Sequence, residues 1–176
     1  MTATKTDQSK DEKVGFHKDV LEKESPKISE IPFDYKTKYH ATTHKVDGAI
    51  FTTIIGAPEE ILDVASKFWH DGKSQLVTAE KKKELESNLI GMYGQGLRVL
   101  ACAIKDESPE ELQPTDINDL TFVGFMGLKD ALRPEVHEAV AEAISAGIKV
   151  VMITGDHKIT AEAIAREAGI YHDGDT

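Results

Sequence analysis

The sequence predicts an α/β protein in two styles, an antiparallel sheet with flanking helices followed by part of a parallel layer. Two β-branched and aromatic runs, 38–46 and 49–55, flank Val46-Asp47-Gly48-Ala49. Asp-Gly suits the positive φ angles of a tight turn, so the pair reads as a hairpin. After residue 118 the pattern becomes strand, helix, strand, helix with near-continuous apolar strands. That is the pattern of βαβ units in a parallel sheet. The expected organisation is therefore a disordered tail over 1–13, an antiparallel module over 14–118 and a partial parallel layer over 119–176.

Each element has a local reason. Residues 1–13 are polar and aperiodic. A short helix is expected at 17–24, ended by Pro26. Pro58, Glu59 and Glu60 open a helix predicted over 58–68, with proline in its first turn and acids at its positive end. Thr78 caps a second helix that stops at the glycines near 94–96. Leu97–Lys105 is a strand, and 106–120 is a polar connector with two prolines. Leu120 onward is a buried strand. Pro134 to Gly147 brackets a helix, Ile148–Thr154 reads as a strand, and the last helix stops at Gly169.

The formal net charge of -10 argues against nucleic acid or anionic lipid as a partner. Cys102 stands alone, so no intrachain disulfide forms and a reducing compartment is the simpler reading. No apolar stretch is long enough to span a bilayer, so no direct membrane contact is expected of these residues.

In open parallel sheets, sites lie outside the carboxyl ends of the strands. Thr154, Gly155 and Asp156 stand at such an end, before a helix whose free N–H groups favour an anion. Asp130 and Arg133 follow the preceding strand and belong to the same crevice. The alternative is plain: Thr-Gly-Asp is also an ordinary turn, with Asp156 capping the last helix. Asp71-Gly72-Lys73-Ser74 resembles the end of a P-loop, but Lys67 stands where that motif needs glycine.

The ordered stretches IPFDYKTKYHAT, GAPEEIL, GLRVLA and LTFVGFMGLKDALRPEVHEAVAEAISAGIKVVMITGDHKITAEAIAREAGI resemble the cytoplasmic region of P-type cation-transporting ATPases, most closely the calcium-pump-like group. The likeness implies a nucleotide-binding domain inserted into a Rossmann-like phosphorylation domain of haloacid-dehalogenase type. It implies ATP and Mg2+ as ligands, cation transport as the parent activity, and the transmembrane and actuator domains of a pump as partners.

By that resemblance Phe33 matches the aromatic that stacks on adenine, and Lys38 a lysine lining the nucleotide pocket. Gly56 and Ala57 match the pocket wall. Arg98 matches the arginine that meets the phosphates, with Leu100 its apolar neighbour. Thr154, Gly155 and Asp156 match the loop that meets the transferred phosphoryl group, and Asp130 and Arg133 a segment that closes the two domains on ATP. Stacking area and cations answer a base and a triphosphate, and phosphoryl transfer is mostly positioning plus charge stabilisation.

The departures are specific. Ile55 stands where the family motif has lysine before Gly-Ala-Pro-Glu, and Ala131 and Leu132 stand where many relatives have prolines. The family's phosphorylated aspartate and its magnesium-holding aspartates match nothing here, so the chain is expected to begin inside the nucleotide-binding domain and stop partway through the next. It would bind nucleotide without forming an aspartyl phosphate, and no metal site is expected. A soluble phosphatase of the dehalogenase superfamily and a non-catalytic nucleotide-binding or interaction module are the other readings. A parallel layer without its central strand leaves open edges, so 119–176 is expected to be the less stable part.

Overall fold

The computed structural model describes residues 17–46 and 48–172. The expected tail over 1–13, and Asp47 of the hairpin turn, lie outside them. Helix α1 (Lys18–Glu24) is exposed along its length, and β1 (Lys27–Ile31) follows Pro26. The two β-rich runs become β2 (Tyr39–Val46) and β3 (Ala49–Gly56). They pair antiparallel in unbroken register from Tyr39 opposite Gly56 to Val46 opposite Ala49, with Gly48 at φ +83° in the turn.

Thr78 caps α3 (Ala79–Tyr93) by accepting a hydrogen bond from the Lys81 amide, as expected, and Gly96 at φ +72° follows its end. Strand β6 (Arg98–Asp106) then pairs antiparallel with β3, and the polar connector includes one 3-10 turn at Pro114–Asp116. Helix α2 (Pro58–Val64) is shorter than the 58–68 expected. Its second half is instead β4 (Ala65–His70), which turns back into β5 (Lys73–Leu76). The aromatic pair Phe68-Trp69 suits a pleated surface, and pairing beside β7 (Leu120–Leu128) overrides the local helical pattern. Asp71 and Gly72, at φ 48° and 77°, form the turn between β4 and β5. The stretch that resembles a P-loop end is thus a second Asp-Gly hairpin.

All seven strands join one sheet in the order β1-β2-β3-β6-β7-β4-β5, and only the β4–β7 pair is parallel. Helices α2 and α3 cover one face. Ala41, Ile54, Ile61, Leu62, Leu85, Leu89, Val99, Ala101 and Phe122 form the core between helices and sheet. The opposite face, with Ile55, Leu100, Cys102 and Met126, is partly open. The fold is thus mixed α/β with a mostly antiparallel sheet.

The expected parallel layer does not form among the described residues. Strand β7 spends its two edges on β6 and β4, so 148–154 finds no partner and is irregular, with Ile153 94% exposed. The two helices predicted around it do form, as α4 (Val136–Ser145) and α5 (Lys158–Glu167). Gly147 and Gly169, at φ 75° and 77°, follow their ends. Helix periodicity needs no neighbouring strand to satisfy its backbone; an isolated strand does.

Helix α5 docks on the end of α3. Its Thr160 is buried and donates to the Leu97 carbonyl at 3.1 Å, and Ala165 and Ala168 are buried too. The His157 ring stacks on Tyr93 at 4.3 Å, and the Tyr93 hydroxyl donates to Glu59 at 2.8 Å. Three anchors therefore fix the segment that leads into α5.

Candidate functional site

The β1–β2 loop, the β3–α2 junction, the start of β6 and the loop before α5 all bear on one end of the sheet. Lys38 is held at φ 56° by a tight turn. Its amide donates to the Asp34 carbonyl at 2.7 Å, and the Asp34 carboxylate accepts from the Lys36 amide at 2.7 Å. The Lys38 carbonyl accepts from the Ala57 amide at 2.9 Å, which locks the loop to the start of α2. Gly56 lies between them. A Cβ there would sit 2.4 Å from the Lys38 oxygen and 2.6 Å from Tyr39 Cα, so no side chain fits. The Lys38 ammonium reaches Glu60 at 3.1 Å.

Gly56 is paired with Ala101, so β6 residues before 101 run past the end of β3. Those residues include Leu100, half-buried on the open face opposite Met126, and Arg98, paired with Leu128. Arg98 meets Asp156 through two contacts, Nε to Oδ1 at 3.0 Å and Nη2 to Oδ2 at 3.3 Å. The pair raises the Arg98 pKa further, chiefly by the hydrogen bond to Asp156, with the Asp130 charge adding to it. Asp130 is thus within electrostatic reach of Arg98.

Asp156 does not cap the last helix. His157 does, its Nδ1 accepting from the Ile159 amide at 3.3 Å, which leaves the Asp156 carboxylate for Arg98. The Thr154 hydroxyl accepts from the Asp156 amide at 3.1 Å, and Gly155 has open space where a Cβ would lie.

The structure therefore brings together Lys38, Gly56 and Ala57 by direct contact, and Arg98, Asp156 and Asp130 by charge. Phe33 is 65% exposed on the β1–β2 loop, and Arg133 is exposed ahead of α4. Neither side chain touches the other residues of this set in any hydrogen bond or ring contact. A cavity of about 270 Å³ lies on the helix-covered side of the same loop, lined by Lys36, Tyr39, Glu60, Ile61 and Ile117. Among the described residues, no group of three or more His, Cys, Asp or Glu side chains is placed to hold a metal ion.

Sequence reasoning missed three pairings. The Glu60 carboxylate on Lys38 and the Asp156 carboxylate on Arg98 have no local signal, because each pairing is set by tertiary packing. Glu30 and His40, joined at 2.7 Å on the open face, had one: period-two alternation puts His40 on the same face as Thr42 and His44.

This arrangement defines a class: a mixed α/β module with one helix-covered sheet face, one open face, and paired cations at the sheet's end. The family model for the P-type ATPase cytoplasmic domain N matches residues 10–135, and the chain belongs to the P-type ATPase family. The chain is 37% identical over 166 residues to "Calcium-transporting ATPase 1" of Lactococcus lactis, covering 93% of this chain and 19% of that protein. It is 40% identical over 163 residues to the "Sodium/potassium-transporting ATPase subunit alpha" of Tetronarce californica, covering 85% and 16%. It is 36% identical over 159 residues to "Calcium-transporting ATPase 1" of Bacillus cereus, covering 90% and 18%. The chain thus spans less than a fifth of the length of these relatives. Among the described residues, no helix is long and apolar enough to cross a membrane.

Proposed function

We propose that this chain is the ATP-binding part of a cation-transporting P-type ATPase, and that the open face of its sheet holds the nucleotide. One observation carries the reading: Arg98 stands at the end of an open, apolar sheet face with its guanidinium presented as a two-point fork. A guanidinium fork matches phosphate oxygens as well as it matches a carboxylate. Phe33, exposed on the adjoining loop, supplies the stacking ring, and Lys38 a second cation. The wall between them is backbone, because Gly56 leaves no room for anything else.

Both cations are paired with carboxylates, Lys38 with Glu60 and Arg98 with Asp156. Binding a triphosphate exchanges these partners. Thr154, Gly155 and Asp156 then stand where the resemblance puts the loop that meets the transferred phosphoryl group, with Asp130 and Arg133 closing on it. No residue here matches the aspartyl nucleophile, so the chain's own chemistry ends at binding and orienting. Magnesium finds no ligand cluster among the described residues, and these side chains act on the triphosphate through cations and backbone amides.

Under this proposal the nucleotide-binding domain, expected over 14–118, also takes in β7, which lies between β6 and β4 in the same sheet, and the residues after it form part of a phosphorylation domain of haloacid-dehalogenase type. The exposed apolar residues Val151 and Ile153 support the second assignment, since they suit a strand that pairs with a neighbour supplied by the rest of a pump. Isothermal titration with ATP tests the proposal. Saturable binding that Arg98→Ala weakens by roughly tenfold or more is expected, because charged hydrogen bonds contribute about 1.5–3 kcal/mol. Absence of binding at millimolar ATP would overturn it.

A further inference from the structure

Ile55 stands where the family motif has a lysine, and the register shows what stands beside it. His40 lies directly opposite Ile55 in the β2–β3 ladder, Ile55 lies opposite Cys102, and Cys102 opposite Gly124. Paired residues point to the same face, so these four form one row across the open side of the sheet. Gly124 has nothing within 4 Å of a would-be Cβ, which leaves a shallow apolar floor of Ile55, Leu100 and Met126. His40 forms one rim of that floor. Its ring nitrogen Nε2 is 2.7 Å from Glu30 Oε1, and both side chains remain more than a third exposed.

The pair has a definite polarity. An ionised carboxylate only accepts, so Nε2 carries a proton, and in the tautomer protonated there alone Nδ1 presents a lone pair. Glu30 stays ionised because Lys27, and then His40, hold its carboxyl below the usual range. The groups beside His40 are Glu30 on β1, which Lys27 also contacts, and Ile55 opposite it on β3.

We propose that the His40–Glu30 pair is the base-reading element of this site, His40 Nδ1 accepting a hydrogen bond from the exocyclic amine of an adenine that lies on Ile55. The proposal rests on the nucleotide-binding reading above. Arg98 and the His40 row are four residues apart along β6, roughly 13 Å, so phosphates at one end leave the base at the other. Guanine presents a carbonyl oxygen at the corresponding edge, which repels the Nδ1 lone pair. A lysine at position 55 would only donate. Ile55 removes it, and His40 reads with the opposite sense.

The test is the ratio of GTP to ATP dissociation constants, by isothermal titration. ATP and GTP carry the same phosphates, so the phosphate contacts cancel in the ratio. The expected result is ATP tighter by roughly three- to tenfold, the effect of one hydrogen bond. His40→Gln, which offers both donor and acceptor, is expected to bring the ratio near one. Glu30→Gln is expected to lower the ratio with His40 in place, and it carries the test if the first variant does not fold. A ratio that is unchanged by both substitutions overturns this proposal while leaving the nucleotide site intact. No binding of either nucleotide overturns both.

Discussion

Arg98 and Asp156, 58 positions apart in the chain, meet in a two-point ion pair at 3.0 Å and 3.3 Å. The contact exists because Thr160, His157 and Tyr93 fix the start of α5 against the end of α3. It places the cation proposed for phosphate under an internal competitor. Substitutions of the two partners should therefore move ATP affinity in opposite directions. Arg98→Ala weakens binding. Asp156→Asn frees the guanidinium and tightens it by up to about fivefold, the range of an exposed pair. Calorimetric titration of both variants checks this, and parallel losses would contradict the competition.

Gly56→Ala tests how tightly the pocket wall is built. The added methyl meets backbone atoms at 2.4 Å and 2.6 Å, and those atoms are tied into the β2–β3 ladder and the Ala57 hydrogen bond. A loss of about 1–3 kcal/mol in urea unfolding is expected, as for other overpacked sites. An unchanged midpoint would mean that the loop at Lys38 moves aside freely.

Much of this was legible in the sequence, and the rest failed for identifiable reasons. The Asp-Gly turn, the Thr78 cap and the glycines after α4 and α5 are local signals, and each marks its element. The β4 strand was hidden because Pro58 and two glutamates announce a helix without saying where it stops. The fate of β7 is a tertiary matter: an apolar run names a buried strand but not its neighbours. At the proposed site the resemblance names Lys38, Arg98 and Asp156 singly, but not the pairings Lys38–Glu60 and Arg98–Asp156, which join residues 22 and 58 positions apart.

Stability should fall on the alkaline side through Tyr93. Burial first, then its hydrogen bond to Glu59, raise this phenol above its ordinary value. A group raised in the folded state contributes stability that is fully present below its unfolded pKa, about 10, and is lost as pH rises toward the folded value. Thermal unfolding of Tyr93→Phe should show a flatter decline above about pH 10 than the parent protein. An identical decline would place the alkaline sensitivity elsewhere.

Amide hydrogen exchange should divide the chain unevenly. Amides of β2, β3 and β6 are laddered on both sides in the middle of the sheet. Residues 148–154 have no ladder at all, and α4 buries no residue fully. Protection is expected to be highest in the first group and lowest across 130–157. Equal protection in both would contradict the claim that the open apolar segment is the weaker part.

The most direct test of the account is an ATP titration of the chain followed by backbone amide NMR. The account predicts shifts that saturate together at Phe33, Lys38, His40, Gly56 and Arg98, with Asp156 moving as its partner is taken. A well-dispersed spectrum in which ATP moves none of these residues would contradict it, and would leave the family's fold present here without its nucleotide site.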